Sequence, residues 1–325
     1  MPSSILRCGI RARETDLARG GPGRWKNARM TFNPSARTNP NRMTSGGRGR
    51  GTKIAAGGGG LGALVILAIV LLAGGDPNQV PGLSSGTGGA GSGEAGPSIE
   101  HCTTGEAANE DINCRIGATA ESLDAIWSEL LPGTYTAPGV HLFTGATSTG
   151  CGNATSAVGP FYCPADDTTY FDAGFFNVLA RQFGASTGPL AQQYVVAHEF
   201  GHHIQNLLGD LRRSREDPRG PESGAVRAEL QADCYGGIWA HYADKTPLPG
   251  MSEPFLLPLS DQDIADALSA AEAVGDDRIQ QSTTGQVNPE SWTHGSSAQR
   301  QQWFLTGYRT GQVSACDTFA AGDLG

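Results

Sequence analysis

Apolar residues recur at helical spacing over much of the chain, and most of these runs carry a start or stop signal. Leu123, Ile126, Trp127 and Leu130 share one face of a helix predicted over Ala120–Leu130, closed by Pro132 and Gly133. A longer helix is expected over Leu190–Leu208, with Pro189 at its start and Gly209 as its stop. Gly224–Tyr242 reads as another. Asp261–Val274 follows, with Ser260 and Asp263 spaced as an N-terminal cap and Gly275 as the stop. The last, Ser297–Thr310, buries Trp303 and Phe304. Between the first two helices lie short strand patterns at Val140–Thr144, Phe161–Cys163 and Thr168–Asp172, the last two joined by a turn at 164–167. Helices outnumber strands and the two kinds are segregated, which predicts a helix-rich α+β fold with a small, mostly antiparallel sheet.

One apolar run differs from these. No charge occurs between Lys53 and Asp76, and the 22 residues 54–75 match the length of a transmembrane helix. Glycine-rich tracts on both sides leave it nothing to pack against as a core helix, and it begins too late for a cleaved leader. It is therefore expected to be a signal anchor. Arg42, Arg48, Arg50 and Lys53 precede it, which places the N-terminus in the cytoplasm and everything after residue 76 outside. Charge follows the same division. The net −9 of the 325-residue chain separates into +10 over 1–53 and −19 over the remainder, an acidic body that excludes a nucleic-acid partner.

The expected organisation is a basic cytoplasmic stub (1–53), a transmembrane helix (54–75) in the lipid bilayer, a Gly/Ser/Pro linker (76–97) and an extracytoplasmic domain (98–325). Residues 1–29 are Arg-rich without hydrophobic period and precede a second methionine, so translation is expected to start at Met30. Six cysteines follow the apolar run, an even number that fits disulfides in an oxidising compartment. Six cysteines allow about 15 pairings. Local spacing favours Cys102–Cys114 and Cys151–Cys163, leaving Cys234–Cys316; no C-x2-C pair signals a cysteine metal site.

The candidate chemistry lies in the long helix. His198-Glu199-Phe200-Gly201-His202 is an H-E-x-x-H pattern, in which the histidines are about 40° apart on one face and can reach one Zn²⁺. Glu199 stands beside the metal position, where a general base for an attacking water is needed. A zinc hydrolase site requires a third protein ligand and an open position. Glu229, on the next helix, is the candidate ligand. Asp233 lies one turn further on, placed to accept the free ring N–H of a histidine ligand. The apolar and small residues around this pair (Leu230, Ala232, Cys234, Gly236, Gly237) mark it as buried rather than as a solvated face, and buried carboxylates require partners. His203 points away from the pair, and His101, His141 and His241 carry no partner signal, so all four read as structural.

H-E-x-x-H followed by E-x-x-x-D resembles the gluzincin metallopeptidases. More closely, GPFYCPAD (159–166), AHEFGHHIQNLLG (197–209), ELQADCYGGIW (229–239), AVGDDRIQ (273–280) and THGSSAQR (293–300) resemble a bacterial neutral zinc metallopeptidase family, over about 100–320. The resemblance implies a zincin-like domain with one Zn²⁺ per chain, behind a cytoplasmic stub and a membrane helix. It also implies a peptidase. With the domain expected outside the membrane, the expected substrates are peptides or proteins of the cell envelope, and an endopeptidase is expected sooner than an exopeptidase. Gluzincins commonly place a histidine or tyrosine over the oxyanion. His294 either takes that part or is a plain loop histidine, with Tyr170 a weaker alternative. An extended substrate would pair with an edge strand near 161–172. The rival reading is a zinc-stabilised, membrane-tethered binding or chaperone-like module that cleaves nothing.

Overall fold

The structure, a computed structural model, describes residues 31–46 and 96–325. The apolar run 54–75, residues 1–30 and nearly all of the linker lie outside the described residues. Among the described residues no helix is long and apolar enough to cross a membrane.

The first described element is a strap, 31–46, which ends in the two-residue strand β1 (Thr44–Ser45). The chain then forms α1 (Gly105–Glu110), capped by the Thr104 hydroxyl, and α2 (Ile112–Leu130), capped by the Asp111 carboxylate. That cap lies well before the expected start at Ala120, so α2 gains its first turns from residues with no apolar period. After β1 the described strands are β2 (Gly139–Leu142), β3 (Ala146–Thr149), β4 (Gly152–Thr155), β5 (Phe161–Cys163) and β6 (Thr168–Phe171). The remaining helices are α3 (Gly174–Phe183), α4 (Pro189–Leu208), α5 (Gly224–Ala243), α6 (Asp261–Ala273), α7 (Asp276–Thr284) and α8 (Ser297–Thr310).

The helix-rich α+β architecture matches expectation, but the sheet is not mostly antiparallel. The four-stranded sheet has the order β1-β2-β6-β5; β1–β2 and β2–β6 are parallel and only β5–β6 is antiparallel. The tight turn at 164–167 dictates the one antiparallel ladder. The partners of β2 come from distant segments, one of them the strap, which no local turn signals. A separate antiparallel hairpin, β3–β4, lies beside the sheet.

The folded unit includes residues 31–46 as well as the stretch from Ser98. Phe32, Ala36 and Met43 of the strap are buried in the main core, and Phe32 packs on Phe255 with ring centroids 5.1 Å apart. Arg42, read from sequence as a charge beside the membrane, instead makes a bidentate ion pair with Asp124 of α2 at 2.5 and 3.1 Å.

α4, α5, α6 and α8 form the body of the domain with α2 against them. Trp127 and Trp239 are fully buried where α2 meets α5, and the Trp239 indole N–H donates to the Ser122 hydroxyl at 3.1 Å. The cysteines pair as Cys102–Cys114, Cys151–Cys163 and Cys234–Cys316, the last tying α5 to the chain beyond α8.

Candidate metal centre

Two adjacent helices carry the site. α4 holds His198 and His202 near its middle, with Pro189 in its first turn and Gly209 closing it in the left-handed conformation at φ 89°. α5 starts on a Ser223 cap and carries Glu229 and Asp233 one turn apart on the face toward α4. The helices approach closely at Gly201, where a Cβ would stand 2.8 Å from the Cα and the carbonyl oxygen of Ala232. Glycine here lets backbone meet backbone, so Glu229 reaches the histidines.

His198, His202 and Glu229 converge, each buried, with one ligand atom apiece lying within 4.8 Å of the others. Nε2 of His198 is 3.1 Å from Glu229 Oε2, and Nε2 of His202 is 3.5 Å from Oε1. Donors at about 2.0–2.2 Å from a tetrahedral zinc stand about 3.4 Å apart, so this spacing fits the ion. Both outward ring nitrogens are engaged. Nδ1 of His198 donates to Asp233 at 2.8 Å and Nδ1 of His202 to the Gln205 side-chain oxygen at 2.9 Å, which leaves both Nε2 atoms facing Glu229. Gln205 is in turn fixed by donating to the Ala228 carbonyl and to Gln231.

Asp233, wholly buried, sits at the centre of a polar knot. It accepts from the Tyr194 hydroxyl, from His198, and from Nε and Nη2 of Arg300 at 2.8 and 3.0 Å. Burial pushes its carboxyl up, but Arg300 and His198 outweigh that and hold it below the usual range. Glu229 is depressed in the same way: burial opposes the charge, and His202, His294 and His198 overcome it. Burial works against a charged His198 as well, yet Asp233 and Glu229 raise it to about 10. The pocket is thus built to hold positive charge at the point where the ligand atoms meet.

Glu199 lies beside this cluster. Burial is the first cause of its raised pKa, with the histidine charges acting against it. Its Oε2 is buried and has no partner among the described residues. It lines a cavity of about 50 Å³ with His198, Glu229 and the apolar side chains of Val158, Pro160, Phe175, Val195 and Val274. An unsatisfied carboxylate oxygen next to three converging donors is the arrangement a water-activating zinc site requires.

His294 is buried at the turn before α8. Its Nδ1 lies 3.2 Å from Asp276 Oδ1 and 2.8 Å from the Thr293 hydroxyl, while Asp276 Oδ2 accepts the backbone N–H groups of Thr293, His294 and Gly295. It does not line the cavity at Glu199, although its charge acts on Glu229. Tyr170 is elsewhere, donating to Asp166 and stacked on Phe161. His203 is pinned between the Tyr162 hydroxyl and the Thr136 carbonyl, His141 between Thr44 and the Gly46 carbonyl, and His241 bonds the Tyr308 carbonyl. His101 approaches Cys102 and Cys114 closely enough to suggest a second metal group, but both cysteines are spent in a disulfide.

Arg300, Tyr194, Gln205 and Asp276 were not singled out by the sequence reading. Three had a faint signal: Tyr194 is one turn before His198 and Gln205 one turn after His202, while Arg300 lies on the helix face of Trp303 and Phe304.

The chain is 37% identical over 305 residues to the Escherichia coli K12 protein "Uncharacterized protein YpfJ", covering 91% of this chain and 98% of that one. It is 59% identical over 227 residues to "Uncharacterized protein Rv2575" of Mycobacterium tuberculosis H37Rv, covering 70% of this chain and 77% of the relative. No solved structure matches it. With the histidines, carboxylates and the unpartnered Glu199 oxygen in place, the match of residues 23–319 is in keeping with the geometry: the chain belongs to the family described as "Putative neutral zinc metallopeptidase".

Proposed function

We propose that this protein is a zinc-dependent peptidase, with His198, His202 and Glu229 as metal ligands and Glu199 as general base. The observation that carries the reading is the buried, unpartnered Glu199 carboxylate oxygen beside three converging donors. When bound, zinc supplies a Lewis acid and an acidified water. Glu199 takes the proton of the attacking water and later delivers it to the nitrogen of the leaving amine. Its raised pKa suits both transfers. Asp233, oriented by Arg300 and Tyr194, holds the His198 ring in the tautomer that presents Nε2. His294, oriented by Asp276, is the donor we assign to the developing oxyanion.

The substrate in this reading is an extended peptide or protein segment. β5 ends the sheet and pairs only with β6 among the described residues, and residues 158–160 just before it line the cavity at Glu199. A peptide backbone laid along residues 158–160 would pass the base, and cleavage within a chain, hence an endopeptidase, is the reading we carry forward. The three disulfides support action outside the cytoplasm, on cell-envelope substrates, with 54–75 as the attachment to the lipid bilayer.

The test is metal content and cleavage of a diverse peptide library by the full chain, wild type against Glu199→Gln. About one zinc per chain in both is expected, with chelator-sensitive cleavage in wild type falling by about 10²–10⁴-fold in the variant. Equal zinc with no cleavage by wild type would leave a zinc-stabilised binding module instead.

A further inference from the structure

The strap 31–46 is joined to the rest of the fold along its whole length. The Asn109 side chain accepts from the backbone N–H groups of Thr31 and Phe32, both at 3.0 Å, and donates to the Phe32 carbonyl. Backbone bonds run from Leu257 to Thr31, from Asn33 to Phe255, from Gly105 to Ala36 and from Thr38 to Thr103. The Thr38 hydroxyl donates to the carbonyl of Cys102, a disulfide cysteine. Met43 fills the space over Gly117, where a Cβ would collide with its side chain. β1 completes the edge of the sheet in register with β2, Thr44 opposite His141.

The two ends of the undescribed stretch meet. A Cβ on Gly96 would collide with the backbone nitrogen of Gly46, and the Ser45 hydroxyl donates to the Pro97 carbonyl. Residues 47–95 therefore leave and rejoin the domain at one point. A chain that leaves and returns on the same side of a bilayer crosses it an even number of times. The one apolar run in that stretch, 54–75, has 22 residues, enough for a single crossing at about 20 residues each and too few for two.

We propose that the strap and the domain 96–325 share one compartment, so that the chain does not cross a membrane between residues 46 and 96 and any attachment through 54–75 is made from one side. This is independent of the peptidase reading. The charges that argued for a cytoplasmic N-terminus lose one member on the same evidence, because Arg42 is committed to Asp124.

The experiment uses the full chain in intact bacteria, with Cys8→Ser removing the seventh cysteine, which lies outside the described residues. Single cysteines are placed at two exposed positions, Asn41→Cys in the strap and Arg212→Cys in the domain, and probed with a membrane-impermeant maleimide. Equal labelling of both before lysis is expected. Labelling of Arg212→Cys in intact cells with Asn41→Cys reached only after lysis would overturn the proposal. Protection of both until lysis would uphold it and overturn the extracytoplasmic location. A second variant tests docking directly: Thr44→Cys with His141→Cys, and a protease site inserted after residue 80. After cleavage the two fragments should stay joined without reductant, and their separation would count against the docked strap.

Discussion

Asp233→Asn separates the electrostatic from the metal-orienting work of the polar knot. The carboxylate accepts from Tyr194, from His198 at 2.8 Å and from Arg300 at 2.8 and 3.0 Å, and both Asp233 and Arg300 are buried. Asparagine retains one acceptor oxygen, which can still serve His198 and Tyr194. Its amide N–H₂ then faces the guanidinium, donor against donor, and the Arg300 charge is left buried without compensation. Breaking a buried pair in this way costs about 3–5 kcal/mol. Loss of the charged partner of His198 should also weaken zinc binding about 10–100-fold. Urea unfolding of the metal-free protein reads the first effect, and chelator competition reads the second. In Asp233→Asn/Arg300→Met both charges are gone, so stability should recover by at least about 2 kcal/mol relative to Asp233→Asn. A single variant losing less than about 1 kcal/mol, or a double variant no better than the sum of its parts, would falsify the account of Arg300 as a charge that depends on Asp233.

Three further outcomes follow from the same structure. Gln205→Leu removes the acceptor of His202 Nδ1–H, and zinc affinity measured by chelator competition should fall about tenfold or more while Gln205→Glu retains most of it. Replacing Cys234 and Cys316 together by alanine opens a loop of 82 residues, for which the chain-entropy relation gives about 4.5 kcal/mol, against about 3 kcal/mol for the 12-residue separation of Cys102 and Cys114; denaturant midpoints should fall in that order. Asp276 has a depressed pKa, with burial opposed by His294 and by the backbone N–H groups of the turn before α8. Its contribution is therefore complete above the unfolded value of about 3.9 and is lost as pH falls through the folded value. Asp276→Asn should be less stable than wild type at pH 7 and should show a shallower loss on acidification below about pH 4; parallel curves would refute the assignment.

Helices α4, α5, α6 and α8 lie within a residue or so of where periodicity and caps placed them, because each has apolar residues at helical spacing and a Pro, Ser or Gly boundary. The pairing of H-E-x-x-H with a carboxylate helix was legible for the same reason. What stayed hidden lacks a start signal or an apolar period. α3 contains Phe175 and Phe176 and has no side-chain cap, and α7 is short and polar. β3 and β4 are small-residue strands whose buried positions include Thr147 and Thr149. The strap has no hydrophobic period, since Phe32, Ala36 and Met43 each enter the core singly between polar residues. Arg300 reads as a surface charge until Asp233 is seen opposite it, a contact 67 residues away.

The close approach at Gly201 has a counterpart on the other side of α5. A Cβ at Gly237 would collide with the Phe304 carbonyl, and one at Gly307 with the carbonyl of Cys234. The carboxylate helix is thus gripped between its neighbours by main-chain contact, and helix spacing there does not depend on side-chain volume. For anyone re-engineering the centre, the donor set and the scaffold separate. Residues 198, 202 and 229 can be exchanged to suit another ion without altering the distance between the helices that carry them. A single methyl group at 201 would respace α4 and α5, and one at 237 or 307 would respace α5 and α8, while every donor remained in the sequence.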